Sequence, residues 1–575
     1  MKTRETMLTD LRANPKVQVI VIGGGINGIS TFRELALQGV RVLLVDRGDF
    51  CGACSSAPSR MIHGGLRYLE NGEIGLVRES LRERDLLLRN APHFVRPLPT
   101  TVPIHHVFTG LLNSAFNVLR LRSEPAERGA LAVKAGLTLY DALVGKHRTL
   151  PRHTFRGRRQ SAALWPDLPP AVRFTATYHD AWISHPERLG IELVQDGLSA
   201  NTEALAINHL GVNGREGARI KLKDEISGAT VEVEADLIIN ATGAWLDETN
   251  SILAPAAEPS PPLVGGTKGS HLILDHPQLL RALNGHMIYF ENVDGRVCIV
   301  FPYLGRVLLG STDIRIDTPG AVRCEDDEVD YVLKSLSYVF PEITVSPEQI
   351  VYRYSGVRPL PRSDESFTGS ISRDHFVASI PGTPPVLCLV GGKWTTFRAF
   401  GEQTSDDAMR LLGLTRKVAT DDRRIGGGHA YPSNDEEHEV LLRGLISRFN
   451  VSPARAAHAI DHYGSNASGV LEFCRAQPDA TLGASMYTEA ELRFLIRNEF
   501  ARSHSDLLQR RTSLAITGTI SSAIISRASE ILADELGLNA AQMEQNELAF
   551  RALLARDHGL TEPILTARDQ MIGSL

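Results

Sequence analysis

The sequence predicts an α/β fold with three parts: a Rossmann-like nucleotide-binding domain, an antiparallel-sheet domain and a C-terminal all-helical domain. Three observations support this prediction. A glycine-rich turn follows an apolar strand near the N-terminus, short alternating apolar segments fill residues 262–350, and the pattern becomes helical after about residue 425. At 575 residues the chain is also too long for a single hydrophobic core.

The glycine-rich turn lies in "VQVIVIGGGINGIS", residues 17–30, where a β-branched apolar run predicts a buried strand. Gly23 permits the tight turn, and Gly25 lets the backbone approach a pyrophosphate. Gly28 lets the following helix pack close to the strand and offer its N-terminus to the negative charge. A second strand ends at Asp46, where an acid that binds a ribose hydroxyl is expected. The stretch therefore predicts a dinucleotide site.

Three further segments favour FAD over NAD as the dinucleotide. An NAD dehydrogenase normally enters another helix after its second strand, whereas residues 54–70, "CSSAPSRMIHGGLRYLE", are small and hydroxyl-rich and suit the isoalloxazine end of an FAD. Residues 235–245, "ADLIINATGAW", read as a strand that returns the chain to the edge of the sheet where the dinucleotide is expected. Residues 386–398, "VLCLVGGKWTTFR", end in a helix start with Thr395 and Thr396 as expected capping hydroxyls. The predicted FAD contacts are Gly23, Gly25, Asn27, Gly28, Asp46, Ser55, Ser56, His63, Gly64, Ala241, Thr242, Gly243, Gly392, Thr395 and Thr396.

Composition narrows the class of protein and its expected location. An apolar fraction of 43% and a charged fraction of 22% are typical of a globular protein. A net charge of −6 without a long basic run argues against nucleic-acid binding. The first 15 residues lack an apolar signal region, and no run of 18 apolar residues occurs. We therefore expect a cytoplasmic protein.

The six cysteines are scattered, which indicates a reducing compartment. Cys51 and Cys54 form C-G-A-C, a spacing that also occurs in redox dithiols and zinc sites. No further ligands lie nearby in the sequence, so we interpret the pair as packing for a cofactor loop and expect no metal.

The motifs resemble those of a known enzyme family. "IGGGINGIS", "SRMIHGGLRYLENGEIGLVRESLRERDLLL", "NATGAW", "TKGSHLIL", "GSTD", "YSGVRPL", "SRDH" and "GGKWTTFR" follow in order between residues 19 and 398. With "HYGSNA" at 462–467 and "EAELRFLIRNEFARSHSDLLQRRT" at 489–512, they make the chain similar to the FAD-dependent glycerol-3-phosphate dehydrogenase family. The resemblance implies oxidation of sn-glycerol 3-phosphate to dihydroxyacetone phosphate, with FAD reduced.

Residues at the matching positions take their roles from this resemblance. Arg67, Arg358 and Lys393 are implied to bind the substrate, whose phosphate dianion requires fixed cations. Lys393 is also a candidate to stabilise the negative charge of reduced flavin. His63 and His271 are the two candidates for the base that accepts the hydroxyl proton. Tyr68 either hydrogen-bonds the substrate or packs beside Arg67.

Some positions depart from the family pattern. Cys54 stands where relatives usually have Thr or Ser, and Pro58 and Arg60 replace a small residue and Lys. In residues 184–188, "SHPER" replaces the usual Asp-Ala-Arg, with Arg188 in place to keep the Arg. We expect the altered stretch to affect substrate contact or subunit packing, which leaves the exact polyol phosphate open.

The predicted organisation interleaves the domains along the chain. The FAD-binding domain takes residues 16–100, 166–261 and 351–415; an insertion takes 101–165, the substrate domain 262–350 and the helical domain 425–575. In the insertion, residues 107–122 have an apolar helical face followed by arginines, which suits either an interfacial membrane helix or an ordinary core-facing helix. The helical domain is a candidate dimerisation surface.

The electron acceptor is expected to lie outside the chain. The sequence has one dinucleotide fingerprint and no haem or iron–sulfur motif, so reduced FAD needs an external partner. The resemblance implies a quinone, reached by peripheral contact with the cytoplasmic face of the membrane. The alternatives are an oxidase that uses oxygen, a dehydrogenase of another polyol phosphate, and a non-catalytic flavin-binding protein.

Overall fold

The computed structural model describes residues 2–70, 72–106, 129–144, 149–254, 261–363, 368 and 371–572, with the side chains of Arg67, Glu70, Met571 and Ile572 excepted. Residues 107–122, with their predicted apolar helical face, lie outside the described residues. Among the helices that are described, none has the length and apolar character needed to cross a bilayer.

The described chain contains both strands and helices up to residue 411 and is mainly helical afterwards. The strands are β1 (Lys16–Ile22), β2 (Val42–Val45), β3 (Met61–Ile62), β4 (Val95–Ile104), β5 (Thr154–Gly157), β6 (Phe174–Ile183), β7 (Leu205–Ile207), β8 (Leu210–Glu216), β9 (Arg219–Asp224), β10 (Thr230–Asn240), β11 (Val264–Leu274), β12 (Met287–Glu291), β13 (Val297–Tyr303), β14 (Arg306–Gly310), β15 (Ile314–Ile316), β16 (Ile350–Pro361), β17 (His375–Ile380) and β18 (Val386–Gly391). The α-helices are α1 (Arg4–Ala13), α2 (Ile26–Leu37), α3 (Leu66–Glu70), α4 (Ile74–Asn90), α5 (Ala130–Val144), α6 (Arg158–Leu164), α7 (Pro186–Ala200), α8 (Leu246–Leu253), α9 (Pro277–Ala282), α10 (Asp326–Ser337), α11 (Phe397–Leu411), α12 (Asp435–Phe449), α13 (Pro453–Tyr463), α14 (Ala467–Arg475), α15 (Glu489–Asn498), α16 (Ser522–Leu536), α17 (Ala540–His558) and α18 (Glu562–Ile572).

The first sheet is the predicted Rossmann-like sheet, with strand order β17-β18-β10-β1-β2-β7. The pairs from β18 to β7 are parallel, and β17 joins the edge antiparallel to β18. The apolar run of β1 is buried from Val19 to Ile22, as expected for a central strand covered on both faces. Helix α2 packs between α7 and α11. The glycine turn after β1 therefore lies at the carboxyl edge of the sheet.

The second sheet is broader than the segment 262–350 in which the sequence pattern placed it. Its order is β15-β11-β14-β13-β12-β4-β6-β3, with β16 paired to β11 and β5 to β6. The strands within 262–350 pair antiparallel as expected, but β12 runs parallel to β4 from the earlier part of the chain. Local alternation identifies a strand but carries no signal for a partner far away in the sequence.

The C-terminal part is helical, as predicted, and packs against the second sheet. Helix α12 begins at Asp435, where the Asn434 side chain accepts a hydrogen bond from the Glu437 N–H at 2.9 Å. One buried apolar cluster joins Phe301 and Leu308 of the sheet to helix residues such as Leu495. The helical domain thus shares a core with the sheet.

Candidate FAD and substrate site

The glycine turn leaves no room for side chains. Gly23 has φ +108°, a conformation that L-residues rarely adopt. A Cβ on Gly23 would overlap the Ala241 carbonyl, and a Cβ on Gly28 would overlap the Gly23 carbonyl oxygen. The chain at this point therefore forms the close strand–turn–helix contact of a dinucleotide site.

Asp46 at the end of β2 is fixed by backbone groups. Its Oδ2 accepts a hydrogen bond from the Gly24 N–H at 2.7 Å, and its Oδ1 accepts one from the Gly48 N–H at 2.7 Å. Burial raises the pKa of this carboxyl despite these hydrogen bonds. The carboxylate therefore braces the glycine turn and also lines the cavity beside it.

A cavity of about 590 Å³ runs along the carboxyl edge of the parallel sheet. Nine of the predicted FAD contacts line it: Gly23, Gly25, Asn27, Asp46, Ser55, Ala241, Thr242, Gly243 and Gly392. Lys393 also lines the cavity. Six predicted contacts do not: Gly28, Ser56, His63, Gly64, Thr395 and Thr396.

Four of these six residues make hydrogen bonds within the protein: Ser56, His63, Gly64 and Thr395. The Ser56 hydroxyl donates to the Ala53 carbonyl at 2.9 Å, so it is engaged within its own loop. The Thr395 hydroxyl accepts a hydrogen bond from the His63 backbone N–H at 3.2 Å. The Gly64 N–H donates to Asp180 Oδ1 at 3.0 Å, which ties the "IHGG" segment to β6.

The expected capping by the two threonine hydroxyls is wrong. Thr396 occupies the N-cap position of α11, but its side chain makes no capping hydrogen bond, since its φ and ψ of −110° and 14° differ from the extended values of a capping residue. Its hydroxyl is buried without a partner among the described residues, as is the Asn27 side-chain oxygen. Buried polar atoms of this kind fit a bound group with hydrogen-bonding edges.

The cavity is also lined by residues that the sequence did not indicate. The Arg47 guanidinium lies 5.1 Å from the centre of the Trp245 ring. Ser503 and Arg510 reach the cavity from the helical domain. The cavity is therefore bounded by two domains.

A carboxylate–histidine cluster also lines the cavity. Ligand atoms of Asp49, His209 and Asp506 are close enough together to hold a metal ion. However, Asp49 Oδ2 accepts hydrogen bonds from Arg510 and Arg511, both at 2.7 Å. The His209 Nε2 lies 2.8 Å from Asp506. These contacts form an ion-pair network between the domains.

Lys393, Tyr68 and His63 form one group of candidate substrate residues. The Lys393 ammonium donates to the Ser80 hydroxyl at 2.6 Å and lies 4.3 Å from the centre of the Tyr68 ring. Burial lowers the pKa of Lys393 to about 7. The Tyr68 and His63 rings are 6.0 Å apart. Burial and the nearby Lys393 charge lower the pKa of His63 to about 4.

Arg358, on β16, belongs to a second group of candidate substrate residues. Its guanidinium donates to Asp313 Oδ1 at 2.9 Å and to the Ser311 hydroxyl at 3.1 Å. Arg373, from the "SRDH" motif, donates to the other oxygen of Asp313 at 3.5 Å. Arg373 lies in a motif of the resemblance but was not among the predicted site residues.

His271 lies beside this second group and is 1% exposed. Its Nε2 is 2.8 Å from the Ser59 hydroxyl, and its ring stacks on Tyr354 at 5.0 Å with an interplanar angle of 13°. Burial, with the charges of Arg358 and Arg60, lowers the pKa of His271 to about 3. Both histidines are therefore neutral at pH 7, as a proton acceptor must be.

Arg373 connects the two groups. It pairs with Asp313, and its positive charge also contributes to the lowered pKa values of His63 and Lys393. The side chain of Arg67, the remaining predicted phosphate ligand, lies outside the described residues.

Comparison with known proteins places this site in a family. Residues 18–398 match the family model described as FAD dependent oxidoreductase, and residues 418–543 match that of the C-terminal domain of alpha-glycerophosphate oxidase. The chain is 32% identical to a glycerol-3-phosphate dehydrogenase of Synechocystis sp. over 92% of this chain and 95% of the relative. The chain belongs to the FAD-dependent glycerol-3-phosphate dehydrogenase family.

Other members of the family are similar to the chain over most of its length. The aerobic glycerol-3-phosphate dehydrogenase of Escherichia coli is 31% identical, covering 86% of this chain and 93% of the relative. A D-erythritol 1-phosphate dehydrogenase of Brucella abortus is 30% identical, covering 86% and 93%. The solved glycerol-3-phosphate dehydrogenase from Bacillus halodurans, complexed with FAD, has the same fold, with a TM-score of 0.74, 19% identity, and coverage of 96% of this chain and 97% of that one.

FAD is the cofactor of this family, and the cavity fits it. Gly23 and Gly25 of the glycine turn line the cavity without side chains, and the Asn27 side-chain oxygen beside them is buried without a partner among the described residues. Ser55 Oγ lies 3.0 Å from the Ile26 backbone nitrogen, at the start of α2, where it can share the helix N-terminus with a phosphate.

Replacing Gly28 by Ala is expected to yield a folded protein without FAD. The new Cβ would overlap the Gly23 carbonyl oxygen, so α2 must shift away from the turn that holds the pyrophosphate. The ratio of flavin to protein absorbance after purification measures the loss. Gly136→Ala is the matched control, since a Cβ there meets nothing within 4 Å. Full flavin content in Gly28→Ala would contradict the assignment.

Proposed function

We propose that this protein oxidises sn-glycerol 3-phosphate to dihydroxyacetone phosphate by hydride transfer to FAD and passes the electrons to a quinone. The observation that carries the proposal is the pair of groups described above: Arg358 and Arg373 share Asp313 near His271, and the buried Lys393 lies near His63 at the cofactor cavity. This arrangement supplies both cations for a phosphate and a proton acceptor for a hydroxyl.

The cations are the proposed phosphate ligands. Arg358 and Arg373 share the Asp313 carboxylate, which holds the two guanidinium groups side by side. A phosphate dianion offers more acceptor oxygens than this one carboxylate, so it can bind both arginines together. Arg67 is proposed as a further ligand on the strength of the family motif.

Lys393 and the histidines are proposed to act on the reacting carbon. FAD, when bound, supplies the two-electron acceptor. Lys393, which lines the cofactor cavity, stabilises negative charge that develops beside it. His63 lies in the same group as Lys393 and Tyr68, and is one proposed acceptor of the hydroxyl proton; His271, beside Arg358, is the other.

A specific relative supports a second candidate substrate. The Brucella abortus protein, which is as similar to this chain as several glycerol-3-phosphate dehydrogenases, is named for D-erythritol 1-phosphate. This substrate has the same phosphate and secondary hydroxyl chemistry with a longer polyol chain. Its oxidation by this protein is the alternative proposal.

Stopped-flow bleaching of the bound FAD separates the two substrates. The enzyme is mixed anaerobically with glycerol 3-phosphate, D-erythritol 1-phosphate or unphosphorylated glycerol. We expect fast bleaching by glycerol 3-phosphate and little by glycerol, because the arginines need a phosphate. Faster bleaching by the erythritol phosphate would support the alternative, and no bleaching by any of them would contradict both.

The proposed acceptor is a quinone in the membrane. Oxygen is the competing acceptor, and hydrogen peroxide production under air distinguishes an oxidase from a dehydrogenase. We propose that the protein acts at the cytoplasmic face through peripheral contact, with residues 107–122 as the contact segment on the basis of their sequence pattern.

Replacing Phe108, Leu112 and Phe116 together by Ser is expected to release the enzyme from liposomes and lower quinone turnover, because the apolar face is lost. Dye-linked activity, which needs no membrane, should stay near the wild-type value. Liposome flotation and the two assays measure these effects. Loss of dye-linked activity together with the folded signal would instead mean that the stripe belongs to a core.

A further inference from the structure

The segment from Ser55 to His63 touches the candidate site at three places. The Ser55 hydroxyl accepts a hydrogen bond from the first backbone N–H of α2, beside the cofactor cavity. The Ser59 hydroxyl lies 2.8 Å from His271 Nε2, and the His63 N–H donates to the Thr395 hydroxyl. A shift of this segment would therefore move cofactor contacts and both histidines together.

Arg60 lies in the middle of this segment and is 3% exposed. Its Nη1 and Nη2 donate to the two carboxylate oxygens of Glu187, both at 2.8 Å. Nη2 also donates to the Ser56 carbonyl at 3.1 Å. One guanidinium thus ties the front half of the segment to α7, in a bidentate geometry that fixes direction as well as distance.

The backbone conformation of Arg60 also indicates that the segment Ser55–His63 is held in place by its contacts. Arg60 has φ +56°, in the left-handed region that a residue with a Cβ adopts only at a cost. Its carbonyl accepts a hydrogen bond from the Ile183 N–H at 2.9 Å, at the end of β6. The side-chain and backbone contacts together hold a turn that the chain does not favour by itself.

Arg60 and Glu187 lie 127 residues apart in the sequence and meet in the fold as the two ends of one buried ion pair. The planar fork of Arg60 engages both oxygens of Glu187, which the single ammonium of a Lys cannot do.

We propose that Arg60 and Glu187 form a positioning pair for the active site: they hold the segment Ser55–His63 so that it meets the cofactor helix and both candidate histidines in register. The proposal deepens the proposed function, on which it rests for the role of the histidines. Neither residue lines the cofactor cavity, so the pair acts through the segment and not by contact with FAD there.

The next residue of α7 offers a matched control. Arg188 forms its own buried bidentate pair with Glu499 of the helical domain, at 2.8 and 2.9 Å. This pair has similar burial and chemistry and starts from the same helix turn, but the hydrogen bonds of Arg188 go to residues of the helical domain and not to the segment Ser55–His63.

The test compares Arg60→Met with Glu187→Met against Arg188→Met with Glu499→Met, each as a double variant. Replacing both charges of a buried pair by apolar residues generally preserves folding. For the first double variant we expect kcat to fall roughly ten- to hundredfold, as for a displacement of about 1 Å at a reacting centre. KM should change little, because the phosphate contacts of Arg358 and Arg373 remain. The dissociation constant of FAD from the apoprotein, measured by flavin fluorescence, should rise.

Arg60→Lys is a second variant that keeps the charge and most of the volume. It should show the same kcat-selective loss, because one ammonium cannot make both bonds to Glu187. If circular dichroism shows that the double Met variant does not fold, the kcat and FAD affinity of Arg60→Lys test the positioning role instead.

Two results would overturn the proposal. One is a folded variant with wild-type kcat and wild-type FAD affinity; the other is an equal loss in the Arg188/Glu499 control, which would indicate a general structural role. Failure of the proposed function is distinguishable, because the wild type would then not oxidise glycerol 3-phosphate, while the FAD dissociation constants would still report on the pair.

Discussion

Replacing Lys393 by Met is expected to lower kcat/KM for glycerol 3-phosphate by about 10²–10³, the usual effect of removing one preorganised donor from an active site. The ammonium is held by the Ser80 hydroxyl at 2.6 Å and by the face of the Tyr68 ring, so it is already in place before substrate binds. FAD absorbance of the purified variant should show that the cofactor remains bound.

The lowered pKa of Lys393 gives this prediction a pH signature. Its value of about 7 means that the cation is present below this pH and is lost as the pH rises through it. The kcat/KM of the wild type should therefore fall on the alkaline side with an apparent pKa near this value. Lys393→Arg should remove that fall, because a guanidinium stays charged throughout the range.

Either of two results would contradict the role of Lys393. One is wild-type kcat/KM in Lys393→Met; the other is the same fall of kcat/KM at alkaline pH in Lys393→Arg. Ser80→Ala is the matched control, because it removes the hydrogen-bond partner of the ammonium but leaves the charge. We expect it to lose much less activity than the Met variant.

The parts of the site that follow from short-range chemistry were predictable from the sequence. The three glycines and the strand before them follow from local geometry, and the structure leaves no space for a side chain at Gly23 or Gly28. The change to a helical pattern after about residue 425 was also predictable, and α12 shows the local signal for it, with Asp435, Glu436 and Glu437 in its first turn.

The parts that depend on distant pairing were not predictable from local pattern. Asp313 and Arg373 meet across 60 residues, and Arg60 and Glu187 across 127. Arg60 and the stretch 184–188 were each singled out in the sequence, but no local pattern indicated that Arg60 pairs with Glu187. Whether the Thr396 hydroxyl caps α11 similarly depends on the φ and ψ angles of Thr396, which helix propensity does not report.

The same limit applies to the second sheet. Strands β4, β6 and β16 lie outside residues 262–350, yet they pair with the strands of that segment or with each other in one sheet. Pairing of this kind is decided by burial of a common face over the whole chain. Strand β16 matters for function because it delivers Arg358 to the site.

Replacing Arg358 by Ala is expected to lower kcat/KM for glycerol 3-phosphate by about 10- to 150-fold, since a charge-assisted hydrogen bond is worth about 1.5–3 kcal/mol. The flavin content should hold, because Arg358 does not line the cofactor cavity. Bleaching by unphosphorylated glycerol should change much less, because glycerol has no dianion for the guanidinium to bind.

Arg353→Ala provides the comparison for this variant. Arg353 lies on the same strand, but its guanidinium pairs with Asp326 instead of Asp313. Its kcat/KM should stay close to the wild-type value. If Arg358→Ala bound glycerol 3-phosphate normally, lost its FAD, or impaired glycerol as much as glycerol 3-phosphate, then Arg358 would not be the phosphate ligand. The pair that it forms with Asp313 would in that case serve only to join β16 to the loop after β14.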